Sequence, residues 1–371
     1  MKRRNLISSA TVAATSAVAL PALSQTEPQQ IKWKMTTSWP RSLDIIFSGA
    51  QKVCDRVAAL TNGKFTITAY FAGEIPPSST STGEIVGGLE VLEAVQKGTV
   101  ECGHTSSSYY VGKNPALAFG TCVPFGLNTQ QQNAWLYHGG GLKAIQKVYA
   151  NFNMINFPAG NTGAQMGGWF REEINTLADL NGLTMRISGF GGEVMKRLGV
   201  NTTVLPSGEI YLALERSALN AAEWVSPYDD EKLGLHKSAK YYYSPGWWQP
   251  SQTLDVLVNL DAWEKLPREY QEIFQTAAYE VNLNMLAQYD VLNAEALPRL
   301  IEKGVQLRAF SPAIMEAAQK AAFEIYEENA SKDGSFKEVY QQWKKFREQV
   351  FNWNKVNELS FSQFWFNNSL K

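Results

Sequence analysis

The order of elements over the first hundred residues constrains the fold most. Ile31 to Thr37 reads as a strand, Leu43 to Ala59 as an amphipathic helix stopped by Asn62-Gly63, and Lys64 to Tyr70 as an alternating strand. Gly83 to Gln96 reads as a second helix ended by Lys97-Gly98, and Thr99 to Gly103 resumes strand. Strands separated by helices of this length are joined by crossovers, so the chain is expected to build a mostly parallel sheet with helices on both faces.

The rhythm recurs after a helix at Gln130 to Ala150. Met154 to Phe157, Gln165 to Arg171, Thr184 to Ile187 and Thr202 to Leu205 read as strands, with helices at Glu193 to Leu198 and at Glu209 to Leu219, which feeds Ala222 to Val225. From Tyr270 the chain turns helical, over Tyr270 to Leu297, Pro312 to Glu328 and Phe336 to Phe361. The expected class is α/β, with two lobes and long C-terminal helices. Its expected parts are a signal peptide at 1–24, a first lobe at 25–125, a second at 126–224, a return to the first at 225–255 and completion of the second at 256–371.

Lys2, Arg3 and Arg4 precede a mild apolar run to Leu20, and Ala22-Leu23-Ser24 offers a cleavage site, a twin-arginine type of export signal. The run is too short and too rich in Ser, Thr and Ala to span a bilayer, which takes about 20 strongly apolar residues. The mature chain is therefore expected to be soluble and outside the cytoplasm. Removing those three positive charges takes the formal net charge from −1 to −4, which argues against a nucleic-acid partner. The three cysteines, Cys54, Cys102 and Cys122, form no C-x-x-C pair and leave at least one thiol free, and Cys54 sits at an apolar helical position.

Arg186 stands alone in the apolar strand Thr184-Met185-Arg186-Ile187, ahead of Ser188-Gly189-Phe190-Gly191-Gly192, which opens a helix. Strand, glycine turn and helix put its guanidinium near a strand end, where α/β sheets hold ligands. A planar guanidinium grips a carboxylate with two parallel bonds; the competing reading is a structural ion pair. As a crevice residue it is expected to be exposed, so Arg186→Ala is expected to abolish binding and leave the fold intact.

Taken with Gly160-Asn161-Thr162-Gly163, Gln165-Met166-Gly167-Gly168-Trp169, Ala222-Glu223-Trp224, Tyr228 to Gly234 and Tyr241 to Trp248, this segment resembles a family. It is similar to the periplasmic solute-binding subunits of tripartite ATP-independent periplasmic (TRAP) transporters, in the branch that binds 2-oxo monocarboxylates such as pyruvate. The resemblance implies a two-lobed, hinge-connected periplasmic-binding-protein fold and an integral membrane permease as partner. It implies a cation bridging ligand and protein, held by Gln165, Glu223, the Trp224 carbonyl and Gln249. Hard cations want such oxygen donors, and an amide at Gln249, where some relatives carry a carboxylate, tilts the expectation toward Na⁺ over Ca²⁺. The ligand carboxylate is then expected on Arg186, with Asn161 as an amide donor. Trp224, Tyr109, Tyr110, Phe190 and one of Trp247 and Trp248 are expected to wall the site. In some resembling proteins a C-terminal helix supports a homodimer, and the aromatic residues between Trp343 and Phe366 are read either as that contact or as ordinary core.

Signals for catalysis fail one by one. His138-Gly139-Gly140-Gly141 mimics an esterase loop, yet the chain has no G-x-S-x-G elbow. Gly189-Phe190-Gly191-Gly192 lacks the third glycine of a dinucleotide loop. His104, His138 and His236 lack zinc-ligand spacing. Asp229-Asp230-Glu231 suits a solvated helix cap better than a hydrolase pair. The chain is thus expected to be a receptor without enzymatic activity. Rival ligands are a 2-hydroxy acid such as lactate, branched 2-oxoacids, a dicarboxylate or an amino acid; a dicarboxylate requires a second cation, for which Arg171 is the candidate. A periplasmic carbohydrate-active enzyme is the rival of a different class.

Overall fold

The computed structural model describes residues 30–367, so the expected signal peptide lies outside the described residues. The strands, in chain order, are β1 (Ile31–Thr37), β2 (Phe65–Tyr70), β3 (Cys102–Thr105), β4 (Met154–Asn161), β5 (Trp169–Phe170), β6 (Thr184–Arg186), β7 (Asn201–Thr203), β8 (Ala221–Ala222), β9 (Tyr241–Ser244), β10 (Thr253–Asn259) and β11 (Gln306–Ala309). They form two mixed sheets, β2-β1-β3-β10-β4 and β11-β9-β5-β8-β6-β7. The crossover logic holds where it was applied: β1 pairs parallel with β2 and with β3, Ile31 facing Phe65 and Met35 facing Cys102.

The strand β10 has no counterpart in the sequence reading. It runs antiparallel between β3 and β4, with Val256 opposite both His104 and Phe157. All seven residues are buried, so it reads as a continuous core run without the alternation that marks a half-exposed strand. Its insertion also moves the lobe boundaries. Because β4 and β10 join the first sheet and β9 and β11 the second, the chain crosses between sheets at 162–168, 245–252 and 260–305, against expected boundaries at 125, 225 and 255. Strand membership depends on pairing partners about a hundred residues away, which local pattern does not encode.

Two expected helices are interrupted by glycine. Gly140, at φ 84°, splits the 130–150 segment into Thr129–Tyr137 and Gly141–Ala150. Gly83 also takes a positive φ, and the helix there shrinks to Val91–Gln96.

The 35-residue helix Arg268–Glu302 runs through Pro298 and packs on β4, on the Asp44–Leu60 helix and on the Pro227–Leu233 helix, so it braces both lobes. Pro312–Lys332 packs on the helix Gly189–Arg197 and Gly334–Val356 on the helix Gly141–Ala150, and together they bury Tyr326, Phe336, Tyr340 and Trp343 around Phe119. Each such side chain contributes about 2–3 kcal/mol of apolar burial. The final helix, Glu358–Asn367, buries none of its residues. All three cysteines are buried and free. Among the described residues no helix is long and apolar enough to cross a membrane.

Candidate functional site

The first two connectors between the sheets run side by side. Thr162 N–H donates to Gln252 O at 3.0 Å, Gln165 N–H to Gln249 O at 3.2 Å, and Gly246 N–H to Gln165 O at 3.0 Å. A side chain at Gly246 would break this pairing, because its Cβ would lie 2.3 Å from Gln165 O.

Beside the connectors lies a small closed cavity. Trp39, after β1, and Tyr109, after β3, line it from the first lobe, and Arg186, Ser188, Glu223 and Trp224 line it from the second. The second connector adds Gln249 and Gln252. These are the carboxyl ends of strands of both sheets, where crevices in α/β folds form. The volume open to water centres is about 10 Å³, which is the room one water needs.

Parallel pairing of β6 with β8 sets Arg186 against Ala222 and so brings Glu223 next to it. Arg186 is 1% exposed, against the expectation of an exposed crevice residue. Its Nε donates to Leu205 O at 3.1 Å, and its Nη1 to Glu223 O at 2.9 Å and to Glu223 Oε1 at 2.5 Å. Nη2 is buried and has no acceptor. The Trp224 ring covers the guanidinium at 5.2 Å. Glu223 Oε1 also accepts from Ser188 N–H at 3.1 Å. Burial pushes the Glu223 carboxyl up, and Arg186 and Ser188 pull it back. Tyr109, close enough to Arg186 to feel its charge, is pushed up to about 12 by burial, so its phenol stays neutral.

Two more buried atoms lack partners: Oε1 of Gln165 and Oε1 of Gln249. Buried amide oxygens without donors are costly unless something positive meets them. Gln249 shares the cavity with the Glu223 carboxylate, and Gln165 is tied to Gln249 by its backbone bond; oxygens of these kinds are the hard donors that a cation such as Na⁺ or Ca²⁺ takes. The spare guanidinium nitrogen fits a carboxylate. Among the described residues there is no cluster of three or more His, Cys, Asp and Glu that could hold a metal, so the donor set here is one carboxylate plus neutral oxygens.

Other expected site residues lie elsewhere. Asn161 is fully buried, but its Oδ1 accepts from Gly163 N–H at 2.8 Å and its Nδ2 points to Ser251 and Thr253 at 3.4 Å, so it shapes the connector. Phe190 packs in the aromatic core against Tyr326 and Phe336. Trp247 stacks on Phe125 and Trp248 packs on Phe310. Arg171 is committed to Leu214 O at 2.6 Å. The Asp229-Asp230 pair is not the solvated cap expected: both are buried, Asp229 bonded to Tyr289 and Asp230 to Trp169 and Tyr242. The helix Pro227–Leu233 turns its first turn inward against these rings. Sequence reasoning missed Trp39, Ser188 and Gln252. Trp39 could have been found from its place just after the first strand, where side chains reach a crevice.

This fold and site define an extracytoplasmic solute receptor. Residues 35–333 match the family of bacterial extracellular solute-binding proteins, family 7, and the chain belongs to this family, the solute-binding subunits of TRAP transporters. It is therefore a binding protein and not an enzyme. It is 62% identical, over 98% of this chain and 99% of the relative, to the monocarboxylate 2-oxoacid-binding periplasmic protein of Nostoc sp.. A TRAP solute-binding protein of Bordetella bronchiseptica, a mixed-occupancy dimer with copurified calcium and picolinate, is 46% identical with a TM-score of 0.87, covering 91% of this chain and 98% of that one. A TRAP solute-binding protein of Pseudoalteromonas atlantica with bound sodium and pyruvate is 34% identical with a TM-score of 0.85, covering 92% of this chain and 100% of that one.

Proposed function

We propose that this chain is the periplasmic receptor for a 2-oxo monocarboxylate of about the size of pyruvate, taken up with a cation and handed to a TRAP membrane permease. The observation that carries the reading is that Arg186 Nη2 and Gln249 Oε1, from residues of one cavity, are both buried without partners, as is Oε1 of Gln165 on the connector strand bonded to Gln249. One donor and two acceptors, with Glu223, match a ligand that is itself an anion chelating a cation. Among the described residues lining the cavity Arg186 is the only cationic side chain, which disfavours a dicarboxylate.

Charge favours Na⁺. The Arg186–Glu223 pair is neutral; a monocarboxylate with Na⁺ keeps the buried site neutral, whereas Ca²⁺ leaves one positive charge in a low-dielectric cavity. Gln165 and Gln249 stay together through their backbone bond while Glu223 belongs to the second lobe. Ligand and cation together therefore favour the closed arrangement by differential affinity. Export by a twin-arginine signal in residues 1–24 fits delivery to the periplasm. A homodimer fits the final helix, whose Phe361 and Trp365 stack on each other while 65% and 57% exposed.

Calorimetric titration of the mature, metal-stripped protein tests the reading, with pyruvate alone, with Na⁺ and with Ca²⁺, then with lactate, longer 2-oxoacids and a dicarboxylate. The expected result is tight pyruvate binding that requires the cation. Absence of heat from every one of these acids would overturn the ligand assignment, and pyruvate binding that ignores the cation would overturn the chelate.

A further inference from the structure

We infer that Gln252 is a positioning residue that holds the Gln165 amide with its oxygen toward the cation; this rests on the cation-and-carboxylate reading above. A glutamine amide has a donor end and an acceptor end of nearly the same shape, and only the oxygen can ligate a cation. Something must therefore decide which end of Gln165 is left without a partner.

The orientation of the Gln165 amide is held by a chain of hydrogen bonds that runs back to Ser106 and Ser108. The Ser108 backbone N–H can only donate, and it donates to Ser106 Oγ at 3.3 Å. The Ser106 and Ser108 hydroxyls share a hydrogen bond at 2.8 Å, and Ser106 Oγ accepts from Gln252 Nε2 at 2.8 Å. With the nitrogen of Gln252 so engaged, its Oε1 faces Gln165 and demands a donor. Gln165 meets it with Nε2, which also reaches Thr162 Oγ1 at 3.2 Å. Oε1 of Gln165 is what remains, buried and without a partner. Reversing the Gln165 amide would set two oxygens face to face at Gln252 and present an N–H to the cation. Ser106, Ser108 and Gln252 are all buried, so water does not readily replace a missing link.

The test is a double-mutant cycle between Gln252→Leu and Gln165→Glu, read as the cation concentration that half-saturates pyruvate binding and as the cation-induced rise in melting temperature. In the wild-type background Gln252→Leu is expected to raise the half-saturating concentration about tenfold, as loss of a partner to a metal ligand does. A carboxylate has no wrong end and turns an oxygen to Gln252 either way, so in the Gln165→Glu background the same substitution should not raise the half-saturating concentration. Ser106→Ala, which removes the anchor of Gln252, should give a smaller loss of the same kind and decides the matter if Gln252→Leu fails to fold. Equal losses in both backgrounds would mean that Gln252 only supports the fold and would overturn the inference. A wild-type protein that binds pyruvate without any cation dependence would overturn the functional reading and this inference with it, whereas a cation-dependent wild type with unaffected variants would sink this inference alone.

Discussion

Arg186 Nη1 donates to Glu223 Oε1 at 2.5 Å with both side chains 1% exposed, and the neighbouring Nη2 of the same guanidinium has no acceptor. The arginine is half of a buried ion pair and still keeps one guanidinium nitrogen without an acceptor. The two competing readings of Arg186 in the sequence are thus compatible: the pair occupies one guanidinium nitrogen and leaves another.

This pairing changes the expected result of Arg186→Ala. The substitution strands the Glu223 carboxylate in the interior, which costs about 3–5 kcal/mol, so stability should fall along with binding. Arg186→Ala with Glu223→Gln should recover most of that stability and still bind no pyruvate. Urea unfolding midpoints and calorimetry check both halves; full stability in the single variant would contradict the burial argument.

Glu223→Gln should uncouple the cation from the anion. Without the glutamate, Arg186 carries an unbalanced charge that pyruvate alone can neutralise, so the ratio of pyruvate dissociation constants without and with cation should fall toward about one. Coupling as strong as in wild type would show that Glu223 is not a cation ligand.

Stability should fall as pH rises toward neutral. Burial raises Asp229 from 3.8 to about 7 and Asp230 and Asp255 each to about 6. Between the unfolded and folded values the native protein holds more protons than the unfolded chain, so stability is full below about pH 4 and declines through pH 6–7. His104, lowered by burial from 6.5 to about 4, acts in the opposite sense, but it is one group against three. Carboxylates held low by surface partners, such as Glu327 by Lys344, are exposed and screened. The urea midpoint should therefore be higher near pH 5 than near pH 8, and Asp229→Asn should shrink the difference.

The last helix offers a test of assembly. Phe361→Asp with Trp365→Asp, placed on residues that are more than half exposed, should leave the unfolding midpoint within about 0.5 kcal/mol of wild type while converting a dimer to a monomer in sedimentation. A wild-type protein that sediments as a monomer at all concentrations would refute the assembly proposed for this helix.

Much of this was legible in the chain because the signals are local. The β1–helix–β2 start follows from hydrophobic periodicity, and the quoted motifs around Gln165, Arg186, Glu223 and Gln249 were recognisable as a set. The sheet order was not legible, because β10 is placed between β3 and β4 by residues far from it in sequence. Nor was the division of labour among polar residues. Asn161 and Gln165 are both buried amides four positions apart, yet both ends of the first are engaged within the protein while the oxygen of the second is left open.

The sequence by itself determined the class of element at most positions, the family and the identity of the charged and amide groups available to a ligand, since periodicity and motif are properties of neighbouring residues. Only the tertiary structure decided which of those groups keep an unused hydrogen-bonding valence. That depends on whether a partner from a distant segment reaches them: Glu223 and Leu205 O reach Arg186, Tyr289 reaches Asp229, and Gln252 reaches one end of Gln165 and leaves the other. A buried polar atom must find a partner or bear the cost of desolvation, and which atoms are left waiting is settled by long-range packing.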